Sequence, residues 1–371
     1  MKIVIFGLTV SSSWGNGHAT LWRGLCGALA SRGHAVTFLE RDVVYYRTQR
    51  DLWELESGTL VLYSSWDEVQ SRAIAELRDA DLAIVTSFCP DGRDASRCVL
   101  DHARGRRVFY DLDTPVTLAA IDAGEFPPYL PVEGLAEFDL VLSFTGGRAL
   151  QLLCDRLGAR RVAPLYGHVD PSLHRPASTP LGAQAALSYL GTYAADRQER
   201  LDELFFATAR SRPRERFLLG GSMYPAGLVR LSNIQHLSHV APSDHADFFA
   251  AARFTLNITR NTMARLGYCP SGRLFEAAAC GVPIISDWFE GLDEFFDPWR
   301  EIVVVHSEAD VLEALSMSDG ELSHRAWLAR ERVLERHTAM QRARELEELV
   351  WWTGAGPRSG VAGSAERLAE A

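Results

Sequence analysis

The segment Pro270-Ser271-Gly272-Arg273-Leu274-Phe275-Glu276-Ala277-Ala278-Ala279-Cys280-Gly281-Val282-Pro283-Ile284-Ile285-Ser286-Asp287 contains a helix start, a helix stop and a buried strand in close succession. Ser271 suits an N-cap and Gly281 suits the position just past a helix end. Arg273 then falls in the first turn, at the positive pole of the helix, where a cation is unfavourable unless an anion covers the helix start. Gly272 allows a ligand to approach the backbone closely. A phosphate would satisfy the free N–H groups and the guanidinium together. Glu276 lies on the same face as Arg273. A phosphate would repel it, so a hydroxyl pair on a ribose or hexose is its natural partner; the alternative is an ordinary Arg–Glu surface pair. The alanine run 277–279 indicates close helix–sheet packing. These residues read as a site for a nucleoside diphosphate.

Outward from this segment, short apolar runs alternate with amphipathic stretches. Strands are expected at Lys2–Gly7, Ala35–Glu40, Thr59–Tyr63, Leu82–Ser87, Arg107–Asp111, Leu140–Phe144 and Arg161–Leu165, with helical patterns between most of them. Continuous apolar strands separated by helices indicate a parallel sheet covered on both faces. The proline-rich stretch around 166–181 breaks the rhythm and reads as a linker. The alternation restarts at Ala186–Leu190, Arg216–Gly220, Ile234–Val240, Phe254–Ile258, Val282–Ser286 and Ile302–Val305. The expected division is a first domain at 1–168, a linker at 169–181, a second domain at 182–320, C-terminal helices at 321–352 and a disordered tail at 353–371. The long helical pattern from Leu322 to Trp352 could cross back to the first domain or lie on the surface.

The chain has 371 residues, 47% of them hydrophobic and 23% charged, and a net charge of −10. That balance suits a two-domain globular protein and argues against nucleic acid as the main partner. Lys2 is the only lysine, which excludes a P-loop, a kinase-type strand lysine and a lysine Schiff base. The six cysteines show no metal-binding or paired spacing, so free buried thiols are expected. Neither a signal-peptide core nor a membrane span is evident, and a cytoplasmic location is expected.

The loop after the first strand, Leu8–Thr20, is polar and glycine-containing and opens a helix at the sheet edge where doubly wound folds bind ligands. Ser13, Trp14, Asn16 and Gly17 are candidate acceptor contacts, and His18 is a candidate general base or a capping histidine. Glu40 stands where the ribose acid of a dinucleotide site would be, but the glycine spacing of that site is missing. In Tyr110-Asp111-Leu112-Asp113-Thr114-Pro115, Thr114 is expected as N-cap with Pro115 at the first helical position. Asp111 and Asp113 are candidates for catalysis or for holding hydroxyls, and as a D-x-D pair they are the one candidate for a divalent ion. Thr145 and Gly146 mark another strand-to-helix turn open to an acceptor. In the second domain Gly191, Thr192, Tyr193, Asn257 and Arg260 end strands near Arg273, Arg197 follows on a helix, and His239–Pro242, including Val240, could line a nucleobase slot. No metal is expected, because Arg273, Arg260 and the helix start can neutralise a diphosphate.

Ser271 through Ser286, followed by Glu290-Gly291-Leu292 and Glu301-Ile302-Val303, resembles the donor-site region of GT-B glycosyltransferases, most closely the group-1-like transferases related to the spore maturation protein CgeB. Gly167–Pro176 is similar to the interdomain link of those enzymes, and Asp111–Thr117 to a feature of the CgeB-like branch. The resemblance implies an α/β fold of two Rossmann-like parallel-sheet domains facing a cleft. The second domain would hold a nucleotide-sugar, with Arg273 on the diphosphate and Glu276 on sugar or ribose hydroxyls. The implied activity is metal-independent transfer of a hexose-type sugar to a hydroxyl or amine, and no cofactor beyond that co-substrate. Tyr268 occupies the place where retaining relatives often carry an earlier glutamate. Two other classes remain open: an NAD-dependent oxidoreductase, and a non-catalytic GT-B relative serving as a coat or scaffold. A GT-B epimerase or phosphorylase is a closer variant.

Overall fold

A computed structural model describes residues 1–177 and 184–351; the tail expected to be disordered and part of the expected linker lie outside the described residues. The first sheet contains β1 Lys2–Gly7, β2 Ala35–Arg41, β3 Thr59–Tyr63, β4 Leu82–Thr86, β5 Arg106–Asp111, β6 Leu140–Ser143 and β7 Val162–Pro164. The second contains β8 Ala185–Leu190, β9 Phe217–Gly220, β10 Ile234–Leu237, β11 Ala252–Asn257, β12 Ile284–Ser286 and β13 Val303–Val304. Their orders are β3-β2-β1-β4-β5-β6-β7 and β10-β9-β8-β11-β12-β13. All pairings are parallel, from Lys2 against Ala35 to Ser286 against Val304. Two apolar clusters flank each sheet, which is why the central strands are apolar throughout rather than alternating. The expected fold of two Rossmann-like domains is the observed one.

Each sheet reverses direction once, between β1 and β4 and between β8 and β11. The carboxyl ends of strands beside such a reversal leave a crevice, because their helices depart to opposite faces. The loops after β1, β8 and β11 therefore face the ligand side by topology alone.

The long C-terminal pattern divides into two helices, Asp319–Arg336 and Ala339–Trp351. The break falls at His337–Thr338, where the chain recrosses between domains. Val169 donates to the His337 carbonyl at 2.9 Å, and Ala339 donates back to the Val169 carbonyl at 2.8 Å. The two crossings are thus paired. Buried Arg342 locks them, donating to the carbonyls of Tyr166 at 3.0 Å and Gly167 at 3.2 Å. Ala339, Ala343, Leu346 and Val350 enter the core of the first domain beside Trp22 and Leu25. Among the described residues, no helix is long and apolar enough to cross a membrane.

Tyr268 forms a further junction between the domains. Its carbonyl accepts from the Gly146 N–H at 3.0 Å. Its ring lies between two glycines: a Cβ on Gly147 would stand 2.4 Å from it, and one on Gly291 2.5 Å. Tyr268 itself has φ of 47°, an uncommon backbone state for an aromatic residue. Tyr268 is thus a structural wedge between the domains.

The C-terminal helix carries part of the first domain's core, so Leu346→Ala should destabilise that domain. The expected loss is about 2–5 kcal/mol, as for other fully buried leucines, measured by urea unfolding.

Candidate active site in the interdomain cleft

A cleft of about 450 Å³ opens between the two sheets' carboxyl edges. Ser13, Asn16, Gly17, His18 and Asp113 line its first-domain wall; Gly191, Thr192, Arg197, Val240, Arg260, Ser271, Gly272, Arg273 and Glu276 line the other.

The first-domain wall is built on Glu40. This carboxylate is fully buried at the end of β2. It accepts from the backbone N–H groups of Val10 at 2.7 Å and Ser11 at 3.0 Å, and from the hydroxyls of Thr9 and Ser11. Glu40 is therefore the anchor of the loop after β1 and has no capacity left for a ribose, which removes the acid that a dinucleotide reading needs. The Asn16 amide is also used within the loop, donating to the Ser12 and Trp14 carbonyls and accepting from the Ala19 N–H. Trp14 does not line the cleft wall; it reaches across and packs on His239, ring centroids 4.7 Å apart.

His18 begins the helix His18–Ser31, and its Nε2 lies 3.0 Å from Asp113 Oδ2. His18 Nδ1 is buried with no partner among the described residues. Asp113, rather than Thr114, is the N-cap residue of the helix Thr114–Asp122, and Pro115 falls one position later than expected. Asp111 is fully buried behind this wall, where it accepts from Thr117 Oγ1 at 3.1 Å and the Asp113 N–H at 3.2 Å. It lies outside the cleft, so neither a catalytic contact nor a D-x-D metal pair forms with Asp113. Burial pushes its carboxyl up to about 6. Thr145 and Gly146 are also displaced from the expected acceptor role. Both are buried in the domain junction, Thr145 donating to Cys269 Sγ at 3.1 Å and Gly146 to Tyr268.

On the opposite wall Ser271 occupies the N-cap position of the helix Gly272–Ala279, but its hydroxyl makes no cap bond. The Leu274 N–H donates to the Ser271 carbonyl at 3.0 Å, while Gly272 and Arg273, whose N–H groups have no side-chain cap, line the cleft. Arg273 does not fold over its own helix pole. It reaches to the end of β8, donating to the Leu190 carbonyl and to Asn257 Oδ1 at 2.9 Å, with its guanidinium 4.9 Å above the Tyr189 ring. Asn257 is thus a support behind the arginine, held from the other side by Ser286. Arg197 stands over the same ring at 5.8 Å and donates to the Thr192 carbonyl. A Cβ on Gly191 would come 2.6 Å from Arg273 Nη2 and 3.1 Å from Arg197 Nη2, so the two cations converge on this glycine and a side chain there would displace them. Neither has an ion-pair partner among the described residues. Arg260 has one: its Nε lies 3.1 Å from Asp196 Oδ1. Tyr193 is outside the cleft wall, edge-on to Tyr224 at 5.8 Å.

Glu276 reaches the cleft from the same helix, 3.3 Å from His245 Nδ1 and 3.9 Å from His174 Nε2. Burial would raise its carboxyl, but the two facing imidazoles outweigh that and hold it well below the usual carboxylate range. Neither histidine was legible as a site residue. A His three residues after an Asp-Pro turn, and another opening a short helix, carry no local sign that they meet.

The architecture is GT-B, two Rossmann-like domains facing a cleft. Residues 197–348 match the model of a family described as glycosyl transferase-like. No curated protein matches the chain by sequence. Among solved structures it is similar to sucrose-phosphate synthase (tll1590) from Thermosynechococcus elongatus, 15% identical over 94% of this chain and 98% of that one, with a TM-score of 0.69. It is similar to Anabaena Alr3699/HepE in complex with UDP and glucose, 13% identical over 94% and 98%, TM-score 0.65. It is also similar to an alpha-glucosyltransferase in complex with UDP, 14% identical over 94% and 99%, TM-score 0.70.

The buried Asp111 makes stability pH-dependent in a defined direction. Between about pH 4 and pH 6 the folded protein keeps a proton that the unfolded chain has released. This group's contribution therefore falls as pH rises, by on the order of 3 kcal/mol across that window. Asp111→Asn should abolish the fall, so urea unfolding at several pH values should show the variant gaining on the native protein from pH 4 to 6.

Proposed function

We propose that this chain is a transferase that moves a hexose-type sugar from a nucleoside diphosphate to an acceptor hydroxyl or amine. The supporting observation is the pair Arg197 and Arg273, two guanidinium groups converging on Gly191 beside an open helix start, with no carboxylate partner among the described residues. Two like charges at that separation favour a dianion between or above them, and a departing diphosphate is such a group. With those cations and the helix start in place, charge neutralisation of the leaving group needs no metal ion. UDP in the similar structures of HepE and the alpha-glucosyltransferase supports a uridine nucleotide as the first donor to try. The residues quoted from the Ser271–Ser286 region favour the CgeB-like branch.

In this reading Glu276 accepts from donor hydroxyls, and the backbone around Val240 borders the base. The acceptor enters along Ser13–His18. Asp113 takes the proton as the acceptor oxygen bonds to the anomeric carbon and the bond from that carbon to the diphosphate breaks. His18, bonded to Oδ2, holds the carboxylate in place and leaves Oδ1 for the acceptor.

Arg273→Ala should lower UDP-sugar affinity by about 2–4 kcal/mol, the loss expected when a charge-assisted contact is removed, as read by titration calorimetry. Undiminished binding by that variant would count against the donor assignment. Asp113→Asn and His18→Ala should instead reduce kcat while donor affinity stays close to that of the native protein. Arg260→Ala should weaken donor binding less than Arg273→Ala, because its charge is already paired with Asp196.

A further inference from the structure

We propose that His174, His245 and Glu276 form a binding site for a divalent transition-metal ion of the zinc class, joining the interdomain connector to the second domain. The three side chains come from separate parts of the chain: the connector, the start of the helix His245–Ala250, and the helix Gly272–Ala279. Their ligand atoms converge. His174 Nε2 lies 3.4 Å from His245 Nδ1, His245 Nδ1 lies 3.3 Å from Glu276 Oε2, and His174 Nε2 lies 3.9 Å from Glu276 Oε1. A tetrahedral ion with ligands at about 2.0–2.1 Å requires ligand atoms about 3.3–3.5 Å apart. Taken through Oε2, Glu276 meets that distance to His245, as His174 does; one ligand atom from each residue lies within 4.8 Å of the others, so the Glu276 side chain must turn to close the third edge.

His245 Nδ1 is faced by both the Glu276 carboxylate and His174 Nε2, and His174 Nδ1 is buried with no partner among the described residues. A cation satisfies all three lone pairs at once. Imidazole nitrogen with a single carboxylate is a donor set suited to zinc and neighbouring metals, whereas magnesium and calcium prefer oxygen throughout. His174 is 1% exposed, and His245 and Glu276 border the cleft, so the remaining coordination position opens toward solvent. The site shares Glu276 with the proposed contact to donor hydroxyls but not the arginines that face the diphosphate, and the ion takes no part in neutralising the leaving group.

The test uses the full chain without nucleotide, so its result is independent of the transferase reading. Zn²⁺ titrated calorimetrically should bind one ion per chain and raise the unfolding temperature. Co²⁺ should give the intense visible absorption of a tetrahedral centre. His174→Gln and, separately, the more peripheral His245→Asn should each weaken Zn²⁺ binding by more than about tenfold, the range already caused by losing an outer-shell partner. Both should remove the thermal shift, with folding of the metal-free variants checked by circular dichroism. Absence of Zn²⁺ binding to the native chain would overturn the proposal. So would binding that survives both substitutions, or a Co²⁺ spectrum of purely octahedral form.

Discussion

Two guanidinium groups held over one tyrosine ring are the constraint from which the donor side of this protein follows. Arg273 and Arg197 are brought together by the end of β8, by the missing side chain at Gly191 and by the face of Tyr189. Burial presses the Arg273 pKa down, yet no carboxylate is placed within ion-pair reach of it among the described residues. Carbonyl oxygens and an asparagine hold the groups in position without cancelling their charge. A protein interior tolerates that arrangement when an anion completes it.

The fold was largely legible because parallel strands covered on both faces are continuous apolar runs, and these stand out against amphipathic helices. Lys2–Gly7 and Thr59–Tyr63 were legible to the residue. The strand expected at Ile234–Val240 was legible only in part. It ends at Leu237, and the apolar character of Val240 serves the cleft rather than the sheet. The break at His337–Thr338 was equally hidden: helix propensity continues through it, and only tertiary pairing with Val169 interrupts the helix.

The site was legible as a region more than as a set of roles. Sequence singled out Arg260 and Arg273 as the phosphate cations. Asp196, adjacent to Arg197 in the chain, instead reaches across to Arg260 and leaves Arg197 unpaired. Which arginine meets a carboxylate depends on contacts distant in sequence, and no spacing rule carries that information. Glu40, Asp111, Thr145 and Gly146 tell the same story. Each sits at or just beyond the carboxyl end of a strand, where ligands bind, and each is used by the scaffold: Glu40 ties down the loop after β1, Asp111 and Thr145 hold Asp113 and Cys269 of the cleft wall, and Gly146 bonds Tyr268 in the domain junction.

The paired crossings at Val169 and His337–Ala339 have a consequence for synthesis on the ribosome. The amino-terminal sheet is translated early, but four of its core side chains, from Ala339 to Val350, follow the entire second sheet in the chain. The nascent first half must wait with an unsealed apolar face while the entire second half is made. The first domain therefore cannot complete its core until the helix Ala339–Trp351, made after the whole second sheet, has left the tunnel.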